Sequence, residues 1–442
     1  MKRKERYVTY VIIGIACLSA ALTGTADEAA SGIRMLYTAQ SGYQPDELQM
    51  LSRMFTELSG IDVEIEYVSY EKQYHRILHA ASEYDVISLD QIWLMDMIAQ
   101  QLIAPLDKYI TRKMREDISI AIMRPFRSQK RTWAFPLFVN VQMFYYNREL
   151  LRGTLPDTAA TMSPTSLNGT TPATGFGKPP KTLEEMVSQM FDLKEQGIVE
   201  YPWTDAWQQG EGLMDEYVWL TSAFGGTVFN DDGLPVFDQK PGVKALEFMM
   251  MLLQKQLASP AVLTNDEIAA KNAFVEGKAV FTTNWLFQEG LLGDPATSPL
   301  AIGMIPASKT SDKKSASVSS LQGLAITAAS HQKDVAWKWI KFLTSPLVQR
   351  AYLFEMPIWS SVQTSDDASM LVPNLAIKLR QLKNAQYRPK LVNYTKISDI
   401  LQKHLAAALK TSLKEPVVAR DVLIQAKQEI EAVQQRGTEP GR

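Results

Sequence analysis

The chain has 442 residues, more than one hydrophobic core usually fills, so two lobes are expected. Hydrophobic residues make up 46% of it and charged residues 21%, which excludes wholesale disorder, a collagen-like repeat and a protein of many membrane spans. A formal net charge of −2 argues against a nucleic-acid partner, which rewards a basic surface.

Lys2, Arg3, Lys4 and Arg6 form a basic leader, followed by an uncharged apolar run from Tyr7 to about Ala21 and small residues at Gly24-Thr25-Ala26. This order predicts a secretory signal over residues 1–26, with an uncleaved anchor as the alternative because the run approaches the ~20 residues of a membrane span. The single cysteine, Cys17, lies inside that segment. The mature chain is therefore expected to lack disulfides, a thiolate nucleophile and a cysteine-bound metal. Cys17 reads either as a lipid-anchored N-terminus or as a small residue of the apolar run, since Gly14-Ile15-Ala16 departs from the usual lipobox. Removing residues 1–26 leaves 42 Lys and Arg against 47 Asp and Glu, a mildly acidic exported protein.

From Ile33 the pattern alternates strands and amphipathic helices. Ile33 to Tyr37 predicts a strand; Pro45, Asp46 and Glu47 open a helix with Leu48, Leu51, Phe55 and Leu58 at helical spacing; Gly60 stops it. Val63, Ile65 and Tyr67 alternate as a second strand, Ser69 is placed to cap a second helix, and Asp85 to Leu89 predict a third strand. Such a run predicts a right-handed βαβ layer on a parallel sheet, whose ligands bind at the carboxyl ends of strands. That rule puts Gln40, Ser41 and Asp90 on a binding rim. Residues 152–180, rich in Thr, Pro, Gly and Ser, predict a long loop or insertion, and Ala307 to Ser319 a second polar loop. After Lys181 the chain reads as mainly helical, with helices over Pro241 to Leu257, Asn265 to Gly277, Ile397 to Leu409 and Asp421 to Val433. A helix capped by Ser330 carries Ala336, Trp339, Ile340 and Leu343, and Ala279 to Thr283 predicts a short strand.

Five blocks, in order, carry a family resemblance. Asp85-Val86-Ile87-Ser88-Leu89-Asp90 leads through Trp93 to Ile103-Ala104-Pro105-Leu106-Asp107, and Pro136 precedes Tyr145-Tyr146-Asn147-Arg148. Glu211-Gly212-Leu213 comes before Gly225-Gly226-Thr227, Phe274-Val275-Glu276-Gly277-Lys278-Ala279 runs into Thr283-Asn284-Trp285, and Ser320 to Ile326 precedes the Trp337–Trp339 helix. From about Ile33 to Val433 the chain resembles the extracytoplasmic solute-binding proteins of sugar-type ABC importers, the group that includes maltose- and trehalose-binding proteins. The resemblance implies an α/β, two-lobed periplasmic-binding-protein-like fold (type II), with discontinuous lobes, a hinge that closes on binding and a central ligand cleft. It implies a first lobe of about 33–137 plus 318–355 and a second, more helical lobe of about 141–315 plus 359–435. It also implies a small-molecule ligand, a sugar; partner permease subunits of an importer; no cofactor and no catalytic residue; and a place in the periplasm or on the outer face of the cytoplasmic membrane.

A sugar site needs carboxylates and amides for hydroxyls, with Trp or Tyr as a platform for the C–H faces. Asp90 reads as such an acceptor or as a cap of a helix over Gln91 to Gln101; Asn140 as a ligand contact or a hinge residue. By resemblance Trp285 is a stacking platform, with core packing as the alternative. Trp207 is a second platform or buried wall. Gln322 and Gly323 are expected in a turn where backbone approaches ligand. Trp359 stands in the neighbourhood where relatives carry an arginine, so a ring contact replaces an ionic one there, and Tyr394 aligns loosely with the family's last aromatic. The resemblance also leaves room for a non-sugar solute, a polyamine or a glycerophosphodiester.

G-x-S-x-G, H-E-x-x-H and the phosphate-binding lysine loop are absent from the sequence. Ser311-Asp312-Lys313-Lys314 fits S-x-x-K without its partner motifs. His75 and His79, four apart, read as solvated helix-face residues and no metal is expected. A paired-carboxylate glycosidase is the rival enzyme reading, since composition does not exclude it.

Overall fold

A computed structural model describes residues 32–38, 42–153, 177–293, 297–352, 355–368 and 372–438. The expectations for the leader, for Cys17, for Gln40 and Ser41, and for most of the 152–180 segment fall outside these residues. The described chain divides into two compact units.

The first unit takes residues up to Asn140, then 320–375 and 390–394. It opens with β1 (Ile33–Thr38), α1 (Pro45–Ser59), β2 (Val63–Val68), α2 (Tyr70–Ala80) and β3 (Val86–Asp90). Pro45 fills the first helical turn of α1, where a missing N–H costs nothing, and the Glu47 carboxylate accepts the Gln44 N–H at 3.2 Å. Gly60 ends α1 in a left-handed conformation (φ 72°), from which its N–H reaches Thr56 O at 2.8 Å. Ser69 stands at the start of α2, but its side chain makes no cap hydrogen bond.

β1 pairs in parallel with both β2 and β3, giving the parallel layer that the alternation predicts. Apolar α1 residues close one face: Phe55 lies 5.1 Å from the Trp339 ring and 5.3 Å from Phe342.

The second unit holds residues 141–319, 376–389 and 395 onward. Strand β4 (Phe135–Val141) leads into it and is followed by β5 (Met143–Asn147). Helices α3 (Leu183–Glu195), α4 (Glu211–Ala223), α5 (Lys240–Gln254) and α6 (Glu267–Val275) precede β6 (Phe281–Asn284) and β7 (Leu300–Gly303). The three strands form an antiparallel sheet in the order β6-β5-β7, with Met143 opposite Asn284 and Asn147 opposite Leu300.

Strand β8 (Ser317–Ile326) then carries the chain back to the first unit, where its last five residues pair antiparallel with β3. This strand corrects two expectations. Gln322 and Gly323 are not in a turn but mid-strand, opposite Asp90 and Leu89, and the polar loop predicted to run to Ser319 gives way to strand at Ser317. All ten β8 residues are buried, and at Gly323 a Cβ would fall 2.7 Å from the Phe126 ring. The glycine therefore serves close packing.

Helix α7 (Lys333–Leu343) follows in the first unit, with Gln332 rather than Ser330 at its cap position. Ser330 Oγ accepts the Gln332 N–H at 3.1 Å and donates to Asp85 at 2.6 Å. Residues 359–368 and 372–375, expected in the second lobe, pack with the first unit. Strand β9 (Ala385–Tyr387) and helices α8 (Tyr394–Ser412) and α9 (Ala419–Thr438) complete the chain.

Candidate functional site

Asp90 ends β3 and is 1% exposed. One carboxylate oxygen accepts the Ile92 N–H at 3.2 Å, capping a single 3-10 turn (Gln91–Trp93), and a short helix follows over Leu94–Ala99 where one running to Gln101 was expected. The other oxygen accepts Tyr70 OH at 2.9 Å and Ser320 Oγ at 3.1 Å. Asp90 is thus both a cap and the centre of a polar cluster.

Tyr70 and Tyr74 stand four apart on α2 and so share one helix face. Their rings lie 5.0 and 5.8 Å from that of Trp93, and Tyr74 OH donates to Asp96 at 2.8 Å. Burial raises the Asp96 pKa, an effect opposed by hydrogen bonds from the Asn393 N–H and from Tyr74. Two tyrosines therefore flank an indole, each tied to a carboxylate. Beside them Gln91 is buried with both side-chain heteroatoms unpartnered among the described residues, as is Gln322 Oε1. Sequence reasoning missed Tyr70, Trp93 as a ring surface, Gln91 and Ser320. The i, i+4 tyrosines were the available signal.

Of the other first-unit candidates, Asn140 is 8% exposed in β4. Trp359 is buried, with its indole N–H on Thr344 O and its ring 6.2 Å from Phe135, and so sits in the core. Tyr394 is fully buried at the start of α8.

In the second unit Asn284 ends β6 and Trp285 follows it. Asn284 Oδ1 accepts the Trp285 N–H at 2.8 Å, its amide donates to Glu267 O at 3.0 Å, and Tyr145 OH donates to Trp285 O at 3.1 Å. These bonds fix the backbone that presents the indole, which is 8% exposed. Trp207 is 1% exposed, and its indole N–H is buried without a partner among the described residues.

Behind Trp285 lies a buried carboxyl pair. Thr283 Oγ1 is 2.8 Å from Asp205 and 3.0 Å from both oxygens of Glu216, and Trp219 donates its indole N–H to Glu216 at 2.7 Å. Burial pushes the Asp205 pKa up to about 7. Glu216 is raised as well, first by burial and then by the neighbouring Asp205 charge. Two carboxylates this close in low dielectric do not both ionise, so the pair holds a proton at neutral pH. Arg388 pairs with two α4 acids, Glu211 at 2.8 Å and Asp215 at 3.2 Å, and Lys378 pairs with Glu289. Charges this deep persist because they are paired.

The profile of the bacterial extracellular solute-binding proteins matches residues 41–350, and the chain belongs to that family. It is a binding protein, not an enzyme. A probable amino-acid ABC transporter periplasmic-binding protein of Sinorhizobium fredii, y4oP, is 24% identical over 374 residues, covering 78% of this chain and 79% of that one. Maltose-bound T. maritima MalE3 is similar in structure (TM-score 0.77, 23% identity, 91% of this chain and 100% of that one). So is an ABC transporter solute-binding protein of Thermotoga lettingae bound with α-D-tagatose (TM-score 0.76, 19% identity, 91% and 99%). The two structures establish the two-lobed fold.

Proposed function

We propose that this extracellular solute-binding protein takes up a carbohydrate, a di- or oligosaccharide, and delivers it to the permease of an ABC importer. The observation that carries the reading is the same pairing in each unit: a ring beside hydrogen-bonding groups at the carboxyl end of a strand. In the first unit these are Trp93 and Tyr70 next to Asp90; in the second, Trp285 after Asn284. Rings suit the C–H faces of a pyranose, and carboxylate and amide groups suit its hydroxyls. Similar structures that carry maltose and tagatose support the same ligand class.

The name of the S. fredii relative favours an amino acid as the second reading. An amino-acid carboxylate calls for an arginine or lysine. The buried cations of the second unit, Lys378 and Arg388, are already ion-paired, which weighs for the sugar.

Thermal-shift screening against maltose, maltotriose, tagatose, amino acids and polyamines separates these readings, because a ligand bound by the native state alone raises the midpoint by mass action. A rise with sugars is expected. A rise confined to amino acids or polyamines would overturn the ligand class and keep the family.

We further propose that the leader exports the chain. Intact mass of the native protein should place its start near Asp27 or at a lipidated Cys17; a start at Met1 would contradict this.

A further inference from the structure

A groove of about 730 Å³ opens along α6 in the second unit, and none of the candidate ligand residues lines it. Its floor is the extended stretch around Trp203, which bridges in parallel to Ala258 and Phe281. One wall is a single sector of α6. Ala269, Asn272, Ala273 and Glu276 recur at i, i+3, i+4 and i+7, which brings them onto one helix face at 3.6 residues per turn. Two of the four are alanines, so the wall is recessed. On the adjoining strip of the helix, Ile268 and Val275 are 50% and 41% exposed.

The lining chemistry selects a ligand class. Tyr201 supplies aromatic surface, and Asn265 and Asn272 supply amides. Trp203 is 1% exposed, and its indole N–H is buried without an acceptor among the described residues. Glu276 and Lys278 pair with each other at 2.6 Å, and Glu200 adds a carboxylate that can accept from a hydroxyl. Its volume lies within the range of small-molecule sites.

We infer that this groove is a second carbohydrate site, weaker than the one proposed above, in which the Tyr201 ring, the Asn265 and Asn272 amides and the Glu200 carboxylate take a neutral sugar above the buried Trp203. It shares no residue with that other site, so either can fail without the other.

The test is a maltose titration of the ¹⁵N-labelled protein, following the Trp203 indole N–H among the nine tryptophans. This resonance should move at sugar concentrations well above those that saturate the first response. Asn272→Ala, at an exposed helix position, should raise its midpoint by roughly tenfold, the worth of one to two hydrogen bonds. Ala273→Leu, which fills the groove from a half-exposed position, should abolish the movement. Trp285→Phe should leave it in place. Three results would overturn the inference: a resonance that stays still up to the solubility limit of maltose, a midpoint unaltered by both α6 substitutions, or an equal response to glycerol, which would mark an adventitious additive only.

Discussion

Replacing Asp205 with asparagine isolates the proton held by the buried carboxyl pair. In the folded chain Asp205 titrates at about 7 because it is buried beside Glu216, whereas an unfolded aspartate titrates near ~3.9. A folded pKa raised above the unfolded one means that the native state holds the proton more tightly. Its contribution to stability is complete below about pH 4 and is lost as pH rises through about 7. At ~1.4 kcal/mol per pH unit, the interval sets a ceiling of about 4 kcal/mol on the loss. Asparagine resembles the neutral carboxyl in size, and its carbonyl oxygen still accepts the Ala206 N–H, a 2.9 Å bond in the parent chain. The variant should therefore exceed the parent by about 1.5 kcal/mol at pH 5, one pH unit into the interval, and at pH 8 by an amount approaching that ceiling. Urea unfolding at the two pH values, followed by tryptophan fluorescence, reads the difference between the two profiles. An equal offset at pH 5 and pH 8 would refute the shared proton and leave a purely steric role for Asp205.

Gly323→Ala should destabilise the first unit by ~1–3 kcal/mol, read as a lowered unfolding midpoint, because the added Cβ meets the Phe126 ring at 2.7 Å. An unchanged midpoint would show that β8 and Phe126 can part at no cost. Trp285→Ala removes a ring that is only 8% exposed, so ~3–5 kcal/mol of folding stability is at stake along with the ligand contact. Trp285→Phe is the cleaner probe: an indole 8% exposed offers a ligand only about 20 Å², so at ~25 cal/mol per Å² the change should weaken sugar affinity by about twofold at most, and a tenfold loss would contradict so small a contact. Arg388→Ala should cost ~3–5 kcal/mol in urea unfolding, because Glu211 and Asp215 lose their shared buried cation. A cost below ~1 kcal/mol would show that these pairs contribute no more than exposed ion pairs do.

The first βαβ layer was legible because every local signal agreed: Pro45 and Gly60 bracket a helix, and Ile33 to Tyr37 and Val63 to Tyr67 alternate around it. β8 was not. Ser319-Ser320 and Gln322-Gly323 carry turn-forming residues, yet they lie in a strand whose residues are all buried, with the glycine set by Phe126, almost two hundred positions earlier in the chain. Asp90 was legible as a polar residue at a strand end, but its partners Tyr70 and Ser320 come from 20 and 230 residues away, and no local pattern announces them. The Asp205–Glu216–Thr283 cluster is hidden for the same reason. α4 also carries its acids on a nearly all-buried helix, contrary to the solvated face that charges usually signal. Trp359 shows the limit of positional analogy: its place suggested a ligand ring, whereas its indole N–H bonds to Thr344 in the core.

Isothermal titration of the mature chain with maltotriose tests the central claim most directly. Binding of a neutral oligosaccharide predicts one tight, saturable site whose heat ends at saturation, with the sugar recovered unchanged. Absence of heat with maltotriose and every other sugar, together with saturable heat from an amino acid, would contradict the carbohydrate reading.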